Sequence, residues 1–337
     1  MKKLAIIWLL TLTVIILSFC KKDINGPNNV INDQQKNLVA VTGYFVKNGV
    51  HSTNIVLVDF YNPQNYKIIT DTTMRAVEPR FSNDKRKILF GDMFHYVCDA
   101  GPQAVVYKFE DETLQPLFIQ PEDPIIGEKY VWNYDNSGFY FTIAPAWGYQ
   151  VVLFYSFLNK NMSVIKGISG PFCVYVIGLK GQDTLIVFSN NTKETGQPIG
   201  HYLMDLEGNY LSRINNPNFE LIQVNSVTKK GVTNLNWNDK YGLFVYSEID
   251  SSVEGRKISV TNLDGSYYRS YTSGYYHDDH PVWGPEGRYI LFERGYNIHS
   301  KSFDYRIMLI DRETGIVENF LKPGDIPRSL GFRYPDY

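Results

Sequence analysis

The segment best equipped for chemistry is Tyr275-Tyr276-His277-Asp278-Asp279-His280. Two imidazoles and two carboxylates within four positions could ligate a metal or act as acid and base. The same residues could equally cap a strand and face water. His277 and His280 are the weak metal candidates. The remaining histidines give them no evident partner, because His95, His201 and His299 sit at unrelated repeat positions and His51 lies in an early loop. No phosphate-binding glycine loop, paired-cysteine zinc pattern or nucleophile elbow occurs. Neither a catalytic residue nor a cofactor is therefore assigned.

What must position these groups is a repeat. Four segments align without gaps: 79–90, 130–141, 235–246 and 281–292. In each, one aromatic (Phe81, Trp132, Trp237, Trp283) precedes another (Phe90, Phe141, Tyr246, Phe292) by nine residues. A polar turn with an acidic residue separates them, the pattern of a tight hairpin feeding an apolar strand. Phe188 closes a weaker copy, Asp183–Phe188. The closing aromatics step by 51, 47, 58 and 46 residues, the size of a four-stranded propeller blade. A second series of apolar strands runs at Asn54–Phe60, Val105–Phe109, Val151–Phe157, Tyr202–Leu206, Ile258–Leu263 and Arg306–Asp311. Several end near an Asp or Asn: Asp59, Asp205, Asn262 and Asp311.

Both ends look incomplete. Leu38–Phe45 reads as the second strand of a blade without a first, and Ser329–Asp336 as a first strand without a second, its Tyr334-Pro335-Asp336 matching the repeat's turn. The expectation is an all-β, six-bladed β-propeller over 38–337, closed by the C-terminal strand pairing with the N-terminal blade. Closure would protect sheet edges from aggregation. The four aligned aromatics are expected to pack between blades, where large rings bury most area.

Asp279-His280-Pro281-Val282-Trp283-Gly284-Pro285-Glu286-Gly287-Arg288-Tyr289-Ile290-Leu291-Phe292 closely resembles the repeat of TolB-like propellers, roughly P-x-W-S-P-D-G-x-x-I-x-F. The other copies are more degenerate, and only Gly287 and Gly138 keep the turn glycine. The resemblance implies a fold and leaves function open. TolB-like proteins bind partner proteins through one propeller face, which implies a cell-envelope protein as partner. Some propeller lyases acting on pectin fragments carry histidine ligands in the same pre-strand position, which implies the alternative of a carbohydrate-binding or lyase-like propeller with a metal at His277 and His280.

Loops on a rigid scaffold usually carry binding. The residues preceding each inner strand should converge on one mouth of the central channel: Arg75 and Glu78, Glu128 and Lys129, Thr233 and Asn234, Asp278, Asp279 and His280, then Asp325 and Arg328. Their mixed charges suit a peptide, a polar glycan or a protein loop. A solvated rim without a ligand is the other reading.

Composition sets the outer bounds. The chain has 337 residues, 44% hydrophobic and 15% aromatic, with 25 Tyr and 20 Phe. Aromatic excess favours strands. A net charge of −2 gives no sign of a nucleic-acid partner. Residues 1–19 form a signal-like segment, with Lys2 and Lys3 before the apolar run Leu4–Phe19. That run is short for a membrane span. Leu17-Ser18-Phe19-Cys20 resembles the lipobox of bacterial lipoproteins, which implies acylation of Cys20 and a lipid bilayer as partner. It departs from that pattern at Phe19, where the family has a small residue; an uncleaved anchor is the alternative. Stable anchoring takes more than one acyl chain. Residues 20–37 read as a flexible tether. Cys98 and Cys173 could pair in an oxidising compartment or remain buried thiols. The expected location is a bacterial envelope, facing the periplasm or the exterior.

Overall fold

The computed structural model describes residues 33–71, 73–97, 101–120, 123–124, 128–146, 149–169, 173–190, 193, 196, 198–219, 222–224, 227–250, 255–296 and 304–337. Cys20, Cys98 and the signal-like segment lie outside the described residues. The last part of the segment read as a tether, Asp33–Lys36, forms one helical turn. No described helix is long and apolar enough to cross a membrane.

Strands dominate. The first sheet holds β1 (Leu38–Lys47), β2 (Val50–Asp59) and β3 (Tyr66–Ile68). The second holds β4 (Ala76–Phe81), β5 (Lys87–Val97), β6 (Gly101–Lys108) and β7 (Thr113–Pro116). A two-stranded ribbon follows, β8 (Phe118–Gln120) with β9 (Asp123–Pro124). The third sheet is β10 (Glu128–Trp132), β11 (Gly138–Ala146), β12 (Tyr149–Ser156) and β13 (Asn161–Ser169). The fourth is β14 (Val174–Lys180), β15 (Thr184–Ser189), β16 (Gly200–Asp205) and β17 (Tyr210–Arg213). The fifth group is β18 (Ile222–Val224), β19 (Val227–Asn238), β20 (Leu243–Asp250), β21 (Arg256–Asn262) and β22 (Tyr268–Ser270). The sixth is β23 (His277–Trp283), β24 (Tyr289–Gly295), β25 (Tyr305–Asp311) and β26 (Val317–Leu321). A single parallel pair, Arg256 with His277, joins the fifth and sixth groups. The last strand, β27 (Ser329–Asp336), pairs antiparallel with β1 and completes the first sheet in the order β27-β1-β2-β3.

The apolar runs are continuous because each sheet is covered on both faces. In β5, Ile88 and Phe90 enter a cluster shared with the first sheet, while Leu89 enters one shared with the third. In β11, Phe139 and Phe141 face the second sheet and Tyr140 the fourth. The described core is a series of such interfaces between successive sheets. One of them packs Val282, Leu291 and Ile307 of the sixth sheet against Val39, Val41 and Phe332 of the first.

Phe81, Trp132 and Trp283 are buried in these interfaces. Trp132 Nε1 donates to the Arg80 carbonyl of the preceding sheet at 3.0 Å, and Trp283 Nε1 to that of Asn236 at 3.2 Å. Trp237 differs: its indole donates to Asp239 in its own turn, at 3.1 Å. The turn glycines have steric causes. A Cβ on Gly138 would stand 2.1 Å from the Tyr155 carbonyl oxygen, and Gly287, at φ +65°, is pressed against Tyr241. In the second strand series, Asp59 and Asp205 accept backbone N–H bonds from the turns that follow, as Asn262 does from Tyr267.

Candidate binding site at the channel mouth

The innermost strand of five sheets carries one and the same bulge. In β4, Val77 pairs with Gly91 and Arg80 with Leu89, so three residues advance against two. The step recurs in β10, β19, β23 and β27. The extra residue turns left-handed each time: Glu78 (φ 53°), Lys129 (54°), Asn234 (50°), His280 (48°) and Tyr334 (49°). A side chain other than glycine held there costs roughly 1–3 kcal/mol, and such strain clusters at functional sites. Three of the five precede a proline: Pro79, Pro281 and Pro335. Proline fits a bulge because no ladder hydrogen bond is required of it. Tyr334-Pro335-Asp336 thus matches Glu78-Pro79-Arg80 and His280-Pro281-Val282; it belongs to the bulge, where the sequence reading had placed it in the turn.

The bulge frees backbone N–H groups, and the preceding sheet satisfies several of them. Glu78 N–H donates to Thr42 Oγ1 at 3.2 Å, and in β14, whose own register shift follows Val176, the Val176 N–H donates to Thr142 Oγ1 at 3.3 Å. In the sixth sheet the equivalent position is Glu293, which accepts the Tyr334 N–H at 3.4 Å. A hydroxyl position of the repeat is there a carboxylate.

All five bulge side chains line one cavity of about 580 Å³, together with Arg80, Tyr175, His201, Arg256 and Asp279. A second cavity of about 690 Å³ lies towards the hairpin turns, lined by Asn83, Tyr134, Asn238 and Trp237 among others. The two share Arg80, Tyr130, Val131, Ile177, Asn236 and Val282, which form a common waist.

The acids on the wall from the fifth and sixth sheets are already hydrogen-bonded. Asp279 Oδ1 accepts from Asn234 Nδ2 (2.6 Å), Ser247 Oγ (2.7 Å) and the His280 N–H (3.0 Å). Its other oxygen contacts Arg256 Nη1. Asp278, 1% exposed, takes Arg294 through Nε at 2.6 Å and Nη2 at 2.8 Å. Glu293, also 1% exposed, takes Arg333 in the same forked manner. His280 Nδ1 lies 3.3 Å from Glu293 Oε2, outside hydrogen-bond alignment, and its ring meets Tyr334 edge-on at 4.6 Å. Burial alone would raise the Glu293 carboxyl. His280 and Arg333 outweigh it and hold it at about 2.

The opposite wall is aromatic and basic. Lys129 Nζ stands 5.0 Å over the Tyr175 ring. Tyr175 stacks on Phe188, and Phe188 meets His201. Burial, then the charges of Lys129 and Arg213, push His201 down to about 4.

The expected mouth residues divide. Glu78, Lys129, Thr233, Asn234, Asp279 and His280 line the cavity. Glu128 contributes its backbone pairing with Thr142 in β10. Asp278 is buried on Arg294. Arg75 is exposed and bridges Thr53, its N–H on Asp92, and is not in the lining. Arg328 is exposed outside the cavity, its carbonyl accepting from Val46, and Asp325 caps Lys322. Position on β27 explains this: the bulge residue there is Tyr334, six residues beyond Arg328. His277 is half-buried and lines neither cavity, so the two histidines do not share one. Burial and Arg256 lower its pKa. Among the described residues, no three His, Cys, Asp or Glu side chains form a metal-binding group. Sequence reading missed Arg80, Tyr175, His201, Arg256 and Tyr334. Only the shared X-Pro step could have found Tyr334.

No protein-family model matches the chain, and no curated protein matches it. Solved structures do. TolB from Acinetobacter baumannii aligns at TM-score 0.66 and 12% identity, over 90% of this chain and 67% of that one. A putative TolB from Agrobacterium tumefaciens aligns at 0.57 and 12%, over 85% and 89%. An oligogalacturonate lyase in complex with manganese aligns at 0.54 and 10%, over 86% and 76%. With its small sheets packed face to face, the chain has the all-β fold of TolB-like propellers.

Proposed function

We propose a membrane-anchored protein of the bacterial cell envelope that binds a protein or polar ligand at the channel mouth, on a six-bladed propeller closed by β27. The carrying observation is the convergence of five left-handed bulge side chains on one cavity. Holding five such residues costs stability, and a shared cavity is what that strain delivers. In this reading residues 1–19 are a signal, Cys20 carries the acyl chains and 20–37 is the tether to the propeller at 38–337. The lipobox-like start and the likeness to TolB structures support an envelope location. The alternative, a carbohydrate-binding or lyase-like propeller with a metal at His277 and His280, needs further ligands. Asp278 and Asp279 are each committed to an arginine, so binding is the better reading.

Two measurements test it. Wild-type protein is expected in the membrane fraction and Cys20→Ser in the soluble fraction; identical membrane recovery would remove the lipid anchor. Cross-linking in intact envelopes is expected to capture a partner that Lys129→Ala/Asn234→Ala/His280→Ala loses. Equal capture by that folded triple variant would move the binding surface elsewhere.

A further inference from the structure

The two walls of the mouth cavity are not equivalent. On the wall from the fifth and sixth sheets, Asp279 spends its lone pairs on Ser247, Asn234, the His280 N–H and Arg256, so its charge is answered locally. On the other wall two groups, His201 and Arg80, keep hydrogen-bonding capacity. His201 is 6% exposed and lines the cavity, and its Nδ1 has no hydrogen-bond partner among the described residues. A buried polar atom left so is costly unless something else completes it. Its ring is fixed between Phe188 at 5.4 Å and Phe219 at 5.0 Å. Arg80 lies at the waist, in a position that is Val131, Asn236 or Val282 in the aligned strands. Its guanidinium donates to the Pro79 carbonyl and stands 3.8 Å from Asp336, while a guanidinium has five N–H groups to give. Lys129 stands over Tyr175 on the same side.

We infer that this wall receives a carboxylate from an acidic peptide segment of the partner, with Lys129 and Arg80 supplying charge and His201 a neutral N–H donor. The inference rests on the binding reading above and names its ligand chemistry. His201 suits the role because burial and the nearby cations keep it uncharged at neutral pH, when an imidazole has one N–H to donate. A peptide fits the remaining lining, since the Asn236 amide can both donate and accept, as peptide groups require. Glu78 is the opposing charge at the rim, and its removal should help.

The test is calorimetric titration of the full chain with acetylated, amidated tri-glutamate and tri-glutamine. Tri-glutamate is expected to bind at least tenfold tighter, with an affinity that falls as salt rises. Lys129→Met and Arg80→Met should each lose tenfold or more, His201→Phe several-fold, and Lys129→Arg should retain binding. Glu78→Gln should tighten it several-fold, and Asp84→Asn, at the other cavity, should change nothing. Melting curves confirm that each variant is folded. Equal binding of the two peptides, no binding of tri-glutamate, or full binding by folded Lys129→Met and Arg80→Met would each overturn the carboxylate assignment. Envelope capture that depends on Lys129, Asn234 and His280 would then still stand, so the two readings fail separately.

Discussion

Arg333 of β27 grips Glu293 of β24, with Nε at 3.1 and 3.0 Å and Nη2 at 2.8 Å from the carboxylate. The acid is 1% exposed. The guanidinium also lies 4.5 Å over Tyr305 and 4.6 Å over Tyr334. The last strand thereby joins the first sheet by its backbone and the sixth by a buried ion pair, and the same strand places Tyr334 in the lining of the bulge cavity.

Breaking that pair from one side should be severe. Arg333→Met leaves a buried carboxylate uncompensated and is expected to cost about 3–5 kcal/mol. Adding Glu293→Leu should recover part of the loss, which a double-mutant cycle by chemical denaturation measures. Glu293 also sets an acid limb. Its folded pKa is depressed to about 2, so its stabilisation is present above the unfolded carboxyl range and is lost as pH falls from about 4.5 towards 2. An acid limb unchanged in the double variant would reject this.

His201 should govern the range just above. Its folded pKa is held down to about 4 against an ordinary 6.5, so the unfolded chain binds the extra proton between those values. Stability should therefore fall as pH drops from about 6.5 to 4, by up to roughly 3 kcal/mol. His201→Phe should flatten that segment of a stability–pH curve. A curve parallel to wild type would refute the assignment.

Lys85 predicts an effect at the alkaline end. Its ammonium is buried 4.1 Å over Phe81 and 3.8 Å over Tyr337, and Nζ has no hydrogen-bond partner among the described residues. Burial lowers it to about 8, against the nearby charge of Asp336. The unfolded chain then holds more protons between pH 8 and about 10.5, so this residue makes stability rise through that window. Lys85→Met should remove the rise, read as the difference between the two denaturation midpoints.

The indole hydrogen bonds between sheets can be ranked. Trp132→Phe and Trp283→Phe each remove a hydrogen bond to a carbonyl of the neighbouring sheet and are expected to cost about 0.5–1.5 kcal/mol. Trp237→Phe removes a bond to Asp239 within an exposed turn, so it should cost less than either. Equal losses at all three positions would contradict the ranking.

Much of this architecture was written in local pattern. Aromatics nine residues apart, polar turns and apolar strands report short-range chemistry, so the strands, their period and the partnerless ends were legible. Asp59, Asp205 and Asn262 could be read as turn residues because they bond within a few positions of themselves. The site was legible only where it coincided with the repeat: Glu78, Lys129, Asn234 and His280 stand at one repeat position. Arg75 and Arg328 were read into the mouth because sequence spacing carries no register, and a single extra residue in a strand redirects every side chain beyond it. Asp278 and Asp279 looked like free acids because their arginine partners, Arg294 and Arg256, are 16 and 23 residues away. What the sequence by itself determined is the repeating strand chemistry, a property of neighbouring residues. Which side chains share a cavity, which charges are cancelled and which His201 nitrogen is left unsatisfied were decided only by the tertiary structure, because bulge register and packing between sheets bring together residues that are far apart along the chain.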